Sequence, residues 1–301
     1  MGTIIEKDLP LVAELLEKVL HKAEYSDIQR LGGLTNHTYH VTFANGEEYV
    51  VRIPGEGTEE LIVRSDEAKS TELACRLGVD AKLLYFGEDG SKVTEYLKNA
   101  ETMSGDTLKD PVRIAQVADI FNIMHSCGKD TGVPFEVFDM AAGYEKIIYD
   151  MNVPMFADYE EYKAKVMAVK KEIDAAVNAK KVPCHNDPLC ENWVVSNGKM
   201  YLIDWEYAGM NDGMWDVADV SIEACFEDDQ DLLLLEKYLK RVPTTLDKKH
   251  FLASKLYVDF LWTLWAKTRV PYDGQPMEDW AVERYNRLKE NMKKFEELKE
   301  G

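Results

Sequence analysis

The stretch His185-Asn186-Asp187-Pro188-Leu189-Cys190-Glu191-Asn192, with Asp204 twelve residues beyond Asn192, holds the groups that phosphoryl transfer from ATP requires. One carboxylate orients the attacking hydroxyl and takes its proton, while an amide oxygen and a second carboxylate hold Mg²⁺ on the phosphates. Asp187, in a loop held by Pro188, suits the first task, and Asn192 and Asp204 suit the second. Trp193-Val194-Val195 and Met200-Tyr201-Leu202-Ile203 read as two short strands, and Asn197-Gly198 between them is a strong hairpin signal. Such a hairpin brings Asn192 and Asp204 together at its open end. Hard oxygen ligands suit Mg²⁺, which takes one or two protein groups and completes its shell with water and phosphate. Taken singly, each Asp or Asn is equally at home as a cap or turn residue. Spacing, hairpin and flanking apolar runs together favour catalysis. His185 is assigned to bracing the loop rather than to acid–base work.

Two upstream features fit the same chemistry. Arg52 interrupts the apolar run Val50-Val51-Arg52-Ile53 and so points away from its neighbours, and Glu67 on the next helix is placed to pair with it. The pair would set the guanidinium over phosphate; alone, each is a surface charge. Gly32-Gly33-Leu34-Thr35-Asn36 either covers phosphates with backbone N–H groups, which makes Gly33, Thr35 and Asn36 nucleotide contacts, or is a tight turn between strands. Glu95 and Leu97, where the chain leaves the last strand of this region, are also assigned to the nucleotide.

These groups need a frame. Periodicity predicts a helix over residues 10–23, strands over 28–31, 38–43 and 48–53, a helix over 59–77 closed by Gly78, and strands over 82–86 and 92–96. Asn45-Gly46 signals a hairpin, since both residues tolerate positive φ. The result is a mostly antiparallel five-stranded sheet carrying one helix. Beyond residue 97 the pattern turns helical, with helices expected over 111–125, 158–179, 228–240, 247–268 and 278–299. The expected fold class is α+β: a small β-rich lobe, 1–97, joined to a larger helical lobe, 98–301. Nucleotide pockets favour such junctions. Tyr285, Leu288, Met292 and Phe295 share one helical face, which either packs on the large lobe or forms a dimer seam, so monomer and homodimer both stand.

Composition narrows the partners. The 301 residues are 46% hydrophobic and 30% charged, the balance of an ordinary globular protein. Lys and Arg total 36 against 55 Asp and Glu, a net charge of −19. That field repels nucleic acid and anionic membrane, favours cationic partners, and obliges ATP to arrive with Mg²⁺ at a locally basic site. Solubility alone would explain the charge equally well. No apolar run is long enough for a membrane span, and the first twenty residues read as an acidic amphipathic helix rather than a leader. Gly2 lacks the Ser or Thr four positions on that myristoylation needs, because Glu6 stands there. Five cysteines without a Cys-x-x-Cys pair point away from zinc and disulfides and toward a reducing cytoplasm.

The chain resembles the protein-kinase-like small-molecule kinases, which include aminoglycoside phosphotransferases and choline/ethanolamine kinases. The shared signature is His185-x-Asp187-x-x-x-x-Asn192, then Ile203-Asp204. The run from Leu202 through Asp204-Trp205-Glu206-Tyr207-Ala208-Gly209-Met210-Asn211-Asp212 to Met214-Trp215-Asp216 is similar to choline kinases, bacterial ones especially. So are Gly33-Leu34-Thr35-Asn36 and Gly57-Thr58-Glu59-x-Leu61-Ile62-x-Arg64. The likeness spans about residues 30 to 270. It implies a protein-kinase-like bilobal fold, Asp187 as base, Asn192 and Asp204 as Mg²⁺ ligands, Arg52 on ATP phosphate supported by Glu67, and Asp216 tying down the catalytic loop. Protein kinases carry Lys in place of Arg52 and Phe-Gly in place of Trp205-Glu206, which argues against protein substrates.

A quaternary ammonium donates no hydrogen bond, so aromatic faces and nearby carboxylates must recognise it. Trp262 and Trp265 lie three apart on one helical face, and Glu206, Tyr207 and Glu223 could add an acidic rim. Spacing alone leaves core packing as the commoner use of such a pair. A similar Trp-x-x-Trp late in choline kinases makes choline the lead substrate and phosphocholine the product, which the resemblance passes to a nucleotidyltransferase for surface decoration. Ethanolamine and aminoglycosides remain rival acceptors, and a catalytically silent binding protein is the alternative of a different class. The presence of Asp187, Asn192 and Asp204 together speaks against that last reading.

Overall fold

The computed structural model describes residues 3–32, 36–55 and 63–298. The chain divides into two compact units, Met1–Met103 with Glu191–Ala208, and Ser104–Cys190 with Gly209–Gly301. The sequence reading draws one boundary near residue 97; the observed division follows Met103 and returns the Glu191–Ala208 hairpin to the first unit. Gly33 and Thr35 lie outside the described residues, as do 56–62, where the second helix was expected to begin.

In the first unit, α1 (Leu9–Leu20) sets Val12, Leu15 and Leu16 at i, i+3 and i+4. They pack on Tyr39, Val41, Phe43, Val51, Ile53 and Val93 of the sheet and its edge loop. The strands β1 (Asp27–Gly32), β2 (Asn36–Thr42) and β3 (Glu48–Pro54) form a meander, and α2 (Arg64–Leu77) follows. The chain then enters β4 (Leu83–Phe86) and turns into β5 (Lys92–Glu95), giving an antiparallel sheet in the order β1-β2-β3-β5-β4. Val51 and Ile53 face the α1 core, so Arg52, one step out of phase, faces the other side of the sheet. Gly78 caps α2 at φ 71°, where a Cβ would be strained. The Asn45-Gly46 turn differs from expectation. Only Gly46 has positive φ, 81°, while Asn45 uses its side chain to accept the Glu47 N–H at 3.1 Å.

A second, three-stranded sheet completes this unit. β6 (Ala100–Thr102) pairs with Trp193–Ser196, which pairs in turn with Lys199–Leu202. Asn197 and Gly198 both take positive φ, 50° and 82°, as the hairpin signal requires.

The second unit is mainly helical. Its helices are α3 (Gly105–Leu108), α4 (Pro111–His125), α5 (Val137–Asp150), α6 (Tyr159–Ala176), α7 (Met214–Glu223), α8 (Asp228–Leu239), α9 (Thr245–Asp273) and α10 (Gln275–Glu297). α5, α6, α7 and α10 all pack on α9. α9 starts two residues earlier than expected because Thr244 and Asp247 close a capping box, and it carries Pro271 through its last turn. α10 starts three residues early, with Pro276 in its first turn, where no N–H is missed. Tyr285, Leu288, Met292 and Phe295 are buried within this unit, the intramolecular alternative. A short antiparallel pair, Lys181–Cys184 with Gly209–Asp212, sits among the helices. No helix among the described residues is long and apolar enough to cross a membrane.

Candidate active site

The strand Lys181–Cys184 delivers the chain into His185, Asn186 and Asp187. Asp216, in the first turn of α7, is almost completely buried and accepts the backbone N–H groups of His185 and Asn186, both at 2.8 Å. His125 of α4 approaches the same carboxylate through Nε2 at 3.1 Å and holds the Tyr238 hydroxyl at 2.9 Å on Nδ1. Asn186 takes φ 67°, a left-handed conformation that Asn tolerates better than most residues. Its side-chain oxygen accepts from Asn211 at 2.9 Å and its carbonyl from the Trp215 indole at 3.0 Å. The His185 imidazole accepts the Asp187 N–H through Nδ1 at 3.3 Å. The loop backbone is thus fixed by α7, with Asn211 and His125 bracing it from two further elements, and Asp187 itself is half-buried. The structure also gathers ligand atoms of His125, Cys184 and Asp216 within 4.8 Å. Burial pushes the Cys184 thiol well up, so it stays protonated, and Asp216 is committed to backbone N–H groups. That cluster braces the loop.

In the first unit, Ile203 N–H donates to Asn192 carbonyl at 2.9 Å, one step past the Trp193–Leu202 pair. Asn192 and Asp204 therefore flank the open end of the hairpin, as the spacing implies. Asn192 is nearly buried, whereas the Asp204 side chain is 44% exposed. Asp204 takes φ 70°, and the next residue, Trp205, is fully buried with its indole donating to Leu202 carbonyl at 3.2 Å. The anchored tryptophan fixes the unusual turn that presents Asp204.

Arg52 donates to Gly90 carbonyl through Nε and Nη2, at 3.2 and 2.8 Å, and Nη1 lies 2.6 Å from Glu67. The same Nη1 lies 3.6 Å from Glu206 and 3.9 Å from Asp204. Arg64, which sequence reasoning left in a motif without a role, bridges Glu67 and Glu206, both at 2.7 Å. Asn36 donates to Glu206 at 2.7 Å. Burial works against a charged Glu67, yet the Arg52 guanidinium, with Lys92 and Arg64, holds its carboxyl below the ordinary range. Glu206 is pushed the other way, by burial and then by the Asp204 charge, against Arg64 and Asn36. Carboxylate oxygens of Glu67, Asp204 and Glu206 lie within 4.8 Å of one another. Two of the three are spoken for by arginines, which leaves Asp204 as the carboxylate suited to a hydrated Mg²⁺. Glu95 is exposed and pairs with Lys82 at 2.7 Å, and Leu97 is half-buried.

The aromatic residues lie in the second unit. Trp262 is buried and Trp265 half-buried on α9, their rings edge to face at 6.2 Å. Trp280 of α10, which sequence reasoning did not single out, extends the series at 5.9 Å from Trp265. The Arg284 guanidinium lies 4.1 Å over the Trp280 ring and forms an ion pair with Glu223. Glu223 is therefore linked to the tryptophans through Arg284. Glu206 is engaged by Arg64 and Asn36 in the first unit, and Tyr207 is half-buried. Arg64 and Arg284 were given no role because Glu206 and Glu223, the partners that tie them to the site, stand 142 and 61 residues away in sequence.

A sequence model of the family described as choline/ethanolamine kinase matches residues 28–259. Protein LicA of Haemophilus influenzae is 28% identical over 278 residues, 89% of this chain and 81% of that protein. A solved choline/ethanolamine kinase family protein from Mesorhizobium loti superposes with a TM-score of 0.85 at 31% identity, covering 96% of this chain and 97% of the other. The choline kinase LicA from Streptococcus pneumoniae gives 0.79 at 30% identity, covering 95% and 98%. The α+β fold is protein-kinase-like, and the chain belongs to the choline/ethanolamine kinase family, a phosphotransferase acting on an alcohol.

Proposed function

We propose that the chain transfers the γ-phosphoryl group of ATP to the hydroxyl of choline, giving phosphocholine and ADP. The observation that carries the choice of acceptor is the tryptophan series, Trp262, Trp265 and Trp280, lying beside a buried acidic group on α7 and α9. A trimethylammonium head is recognised by such faces and by surrounding negative charge, without hydrogen bonds. The name choline kinase carried by the Streptococcus pneumoniae relative supports the same acceptor.

In this reading Asp187 orients the choline hydroxyl and receives its proton as the oxygen attacks the γ-phosphorus. The bond from that phosphorus to the bridging oxygen breaks, and ADP leaves with the electron pair. The Asp216 carboxylate keeps the Asp187 backbone from drifting, through its two bonds to the residues just before it. Asp204 and Asn192 would hold Mg²⁺, which neutralises charge on the phosphates when bound. Arg52, positioned by Glu67 and Gly90 carbonyl, faces phosphate, and Asn36, held by Glu206, borders it. Glu95 and Leu97 border the adenine. Glu206 holds Arg64, and Glu223, held by Arg284, lies beside the tryptophans.

Trp265→Ala tests the acceptor assignment. The choline KM should rise by about 10- to 100-fold, as loss of a desolvated cation–π face implies, while the ATP KM changes by less than about twofold. Equal changes in both would count against the aromatic seat.

A further inference from the structure

We propose that Arg284 sets the preference for a quaternary over a primary ammonium alcohol, by occupying the Glu223 carboxylate beside the tryptophan series. The inference rests on the choline reading above and names the residue that narrows it. Three carboxyl groups lie in this part of the second unit: Asp219 and Glu223 on α7, and Asp259 on α9. Glu223 and Asp259 are denied to a substrate N–H by arginines. Glu223 is ion-paired to Arg284. Asp259 is fully buried and receives Nε and Nη2 of Arg287 at 2.6 to 3.2 Å, with Nη1 of Arg284 at 3.4 Å. Asp219 is buried, and burial followed by the Glu223 charge pushes its carboxyl well above the ordinary range.

What remains toward the acceptor is aromatic surface in a field that is still acidic. A trimethylammonium head loses nothing there, because it has no hydrogen to donate. A primary ammonium must leave water with three N–H donors and meets, in Glu223 and Asp259, carboxylates already held by arginines, so unpaired donors count against it. Arg284 is suited to this task. It is 2% exposed, its planar fork reaches two carboxylates, and its face rests on Trp280, so it cannot swing away without losing all three contacts.

The test compares kcat/KM for choline and ethanolamine in the full-length protein. Arg284→Met exposes the Glu223 carboxylate to substrate, and the choline-to-ethanolamine ratio should fall by about 10-fold or more, chiefly through a lower ethanolamine KM. Adding Glu223→Gln to that variant should return the ratio toward the wild-type value. A ratio within about twofold of wild type in a folded Arg284→Met protein, with both substrates impaired alike, would mean a merely structural arginine and overturn the proposal. Glu223→Gln alone decides the matter if Arg284→Met does not fold. With its carboxylate already taken, both KM values should rise together, and a selective loss of ethanolamine use would place the substrate ammonium on Glu223 instead. Wild-type protein that turns over neither amine would remove the choline reading and this inference with it. An unchanged ratio beside robust choline turnover removes the inference alone.

Discussion

Asp204 and Asn186 hold left-handed backbone, φ 70° and 67°, on either side of the sequence that carries the chemistry. For Asp204 this conformation costs on the order of 1 kcal/mol, which the buried Trp205 ring and its bond to Leu202 offset. A buried acid, Asp80, lies within reach of the Asp204 charge. Burial pushes its carboxyl up to about 6, with the Asp204 charge adding and Lys92, the Ala81 N–H and Trp205 opposing. Its folded pKa exceeds the ordinary 3.8, so the folded state keeps a proton that the unfolded chain gives up. The stability from this group is full below about pH 4 and is lost as pH rises through about 6, roughly 3 kcal/mol in all. Asp80→Asn should therefore flatten the fall in urea midpoint between pH 4 and pH 7, and a variant with the wild-type slope would contradict the assignment. Asp187, Asn192 and Asp204 could be singled out because their spacing is local and their residue types are few, whereas Asp216 rested on the family resemblance. His125, Asn211, Arg64, Trp280 and Arg284 could not, since each meets a partner on another element.

Elements with one wet face announce themselves. α1, α4 and the five strands of the first sheet stand close to their expected positions because each shows a 3.6- or 2-residue period. α7 does not: nine of its ten residues are buried, so no polar face marks a period. The pair Lys181–Cys184 with Gly209–Asp212 was equally hidden, since its strands are four residues long and far apart in sequence. Turns matter to the site as much as helices. Gly90, in the turn between β4 and β5, takes φ 89° and offers its carbonyl to Arg52. A Cβ there would lie 2.5 Å from Arg64 Nε. Gly90→Ala should lower stability by about 1 to 2 kcal/mol, from backbone strain and crowding, and raise the ATP KM several-fold by unseating Arg64 and Arg52. Choline KM should move much less. A variant with normal ATP KM would separate this turn from the nucleotide.

Across the molecule, the net charge of −19 bears on the two proposed substrates in opposite senses. It draws a cationic acceptor and repels ATP that lacks Mg²⁺. Raising ionic strength from about 0.02 to about 0.5 M should therefore raise the choline KM by about threefold, as screening shortens the reach of that field. The uncharged isostere 3,3-dimethylbutan-1-ol should show no such trend, and a matching trend would place the salt effect elsewhere than on the cation. The division of the chain also bears on what the motif must do. Asp187 belongs to one compact unit and Asn192 with Asp204 to the other, so eighteen residues of sequence, 187 to 204, supply groups to both. The spacing could reveal the groups but not this division, which depends on pairing of the hairpin with β6, about ninety residues earlier. The account stands most directly on the reaction itself. Purified protein incubated with Mg²⁺, ATP and choline should yield phosphocholine and ADP in equal amounts by ³¹P NMR, with Asp187→Ala slower by about 10³-fold. Phosphocholine formed at an undiminished rate by Asp187→Ala, or ATP consumed without phosphocholine in the wild type, would contradict it.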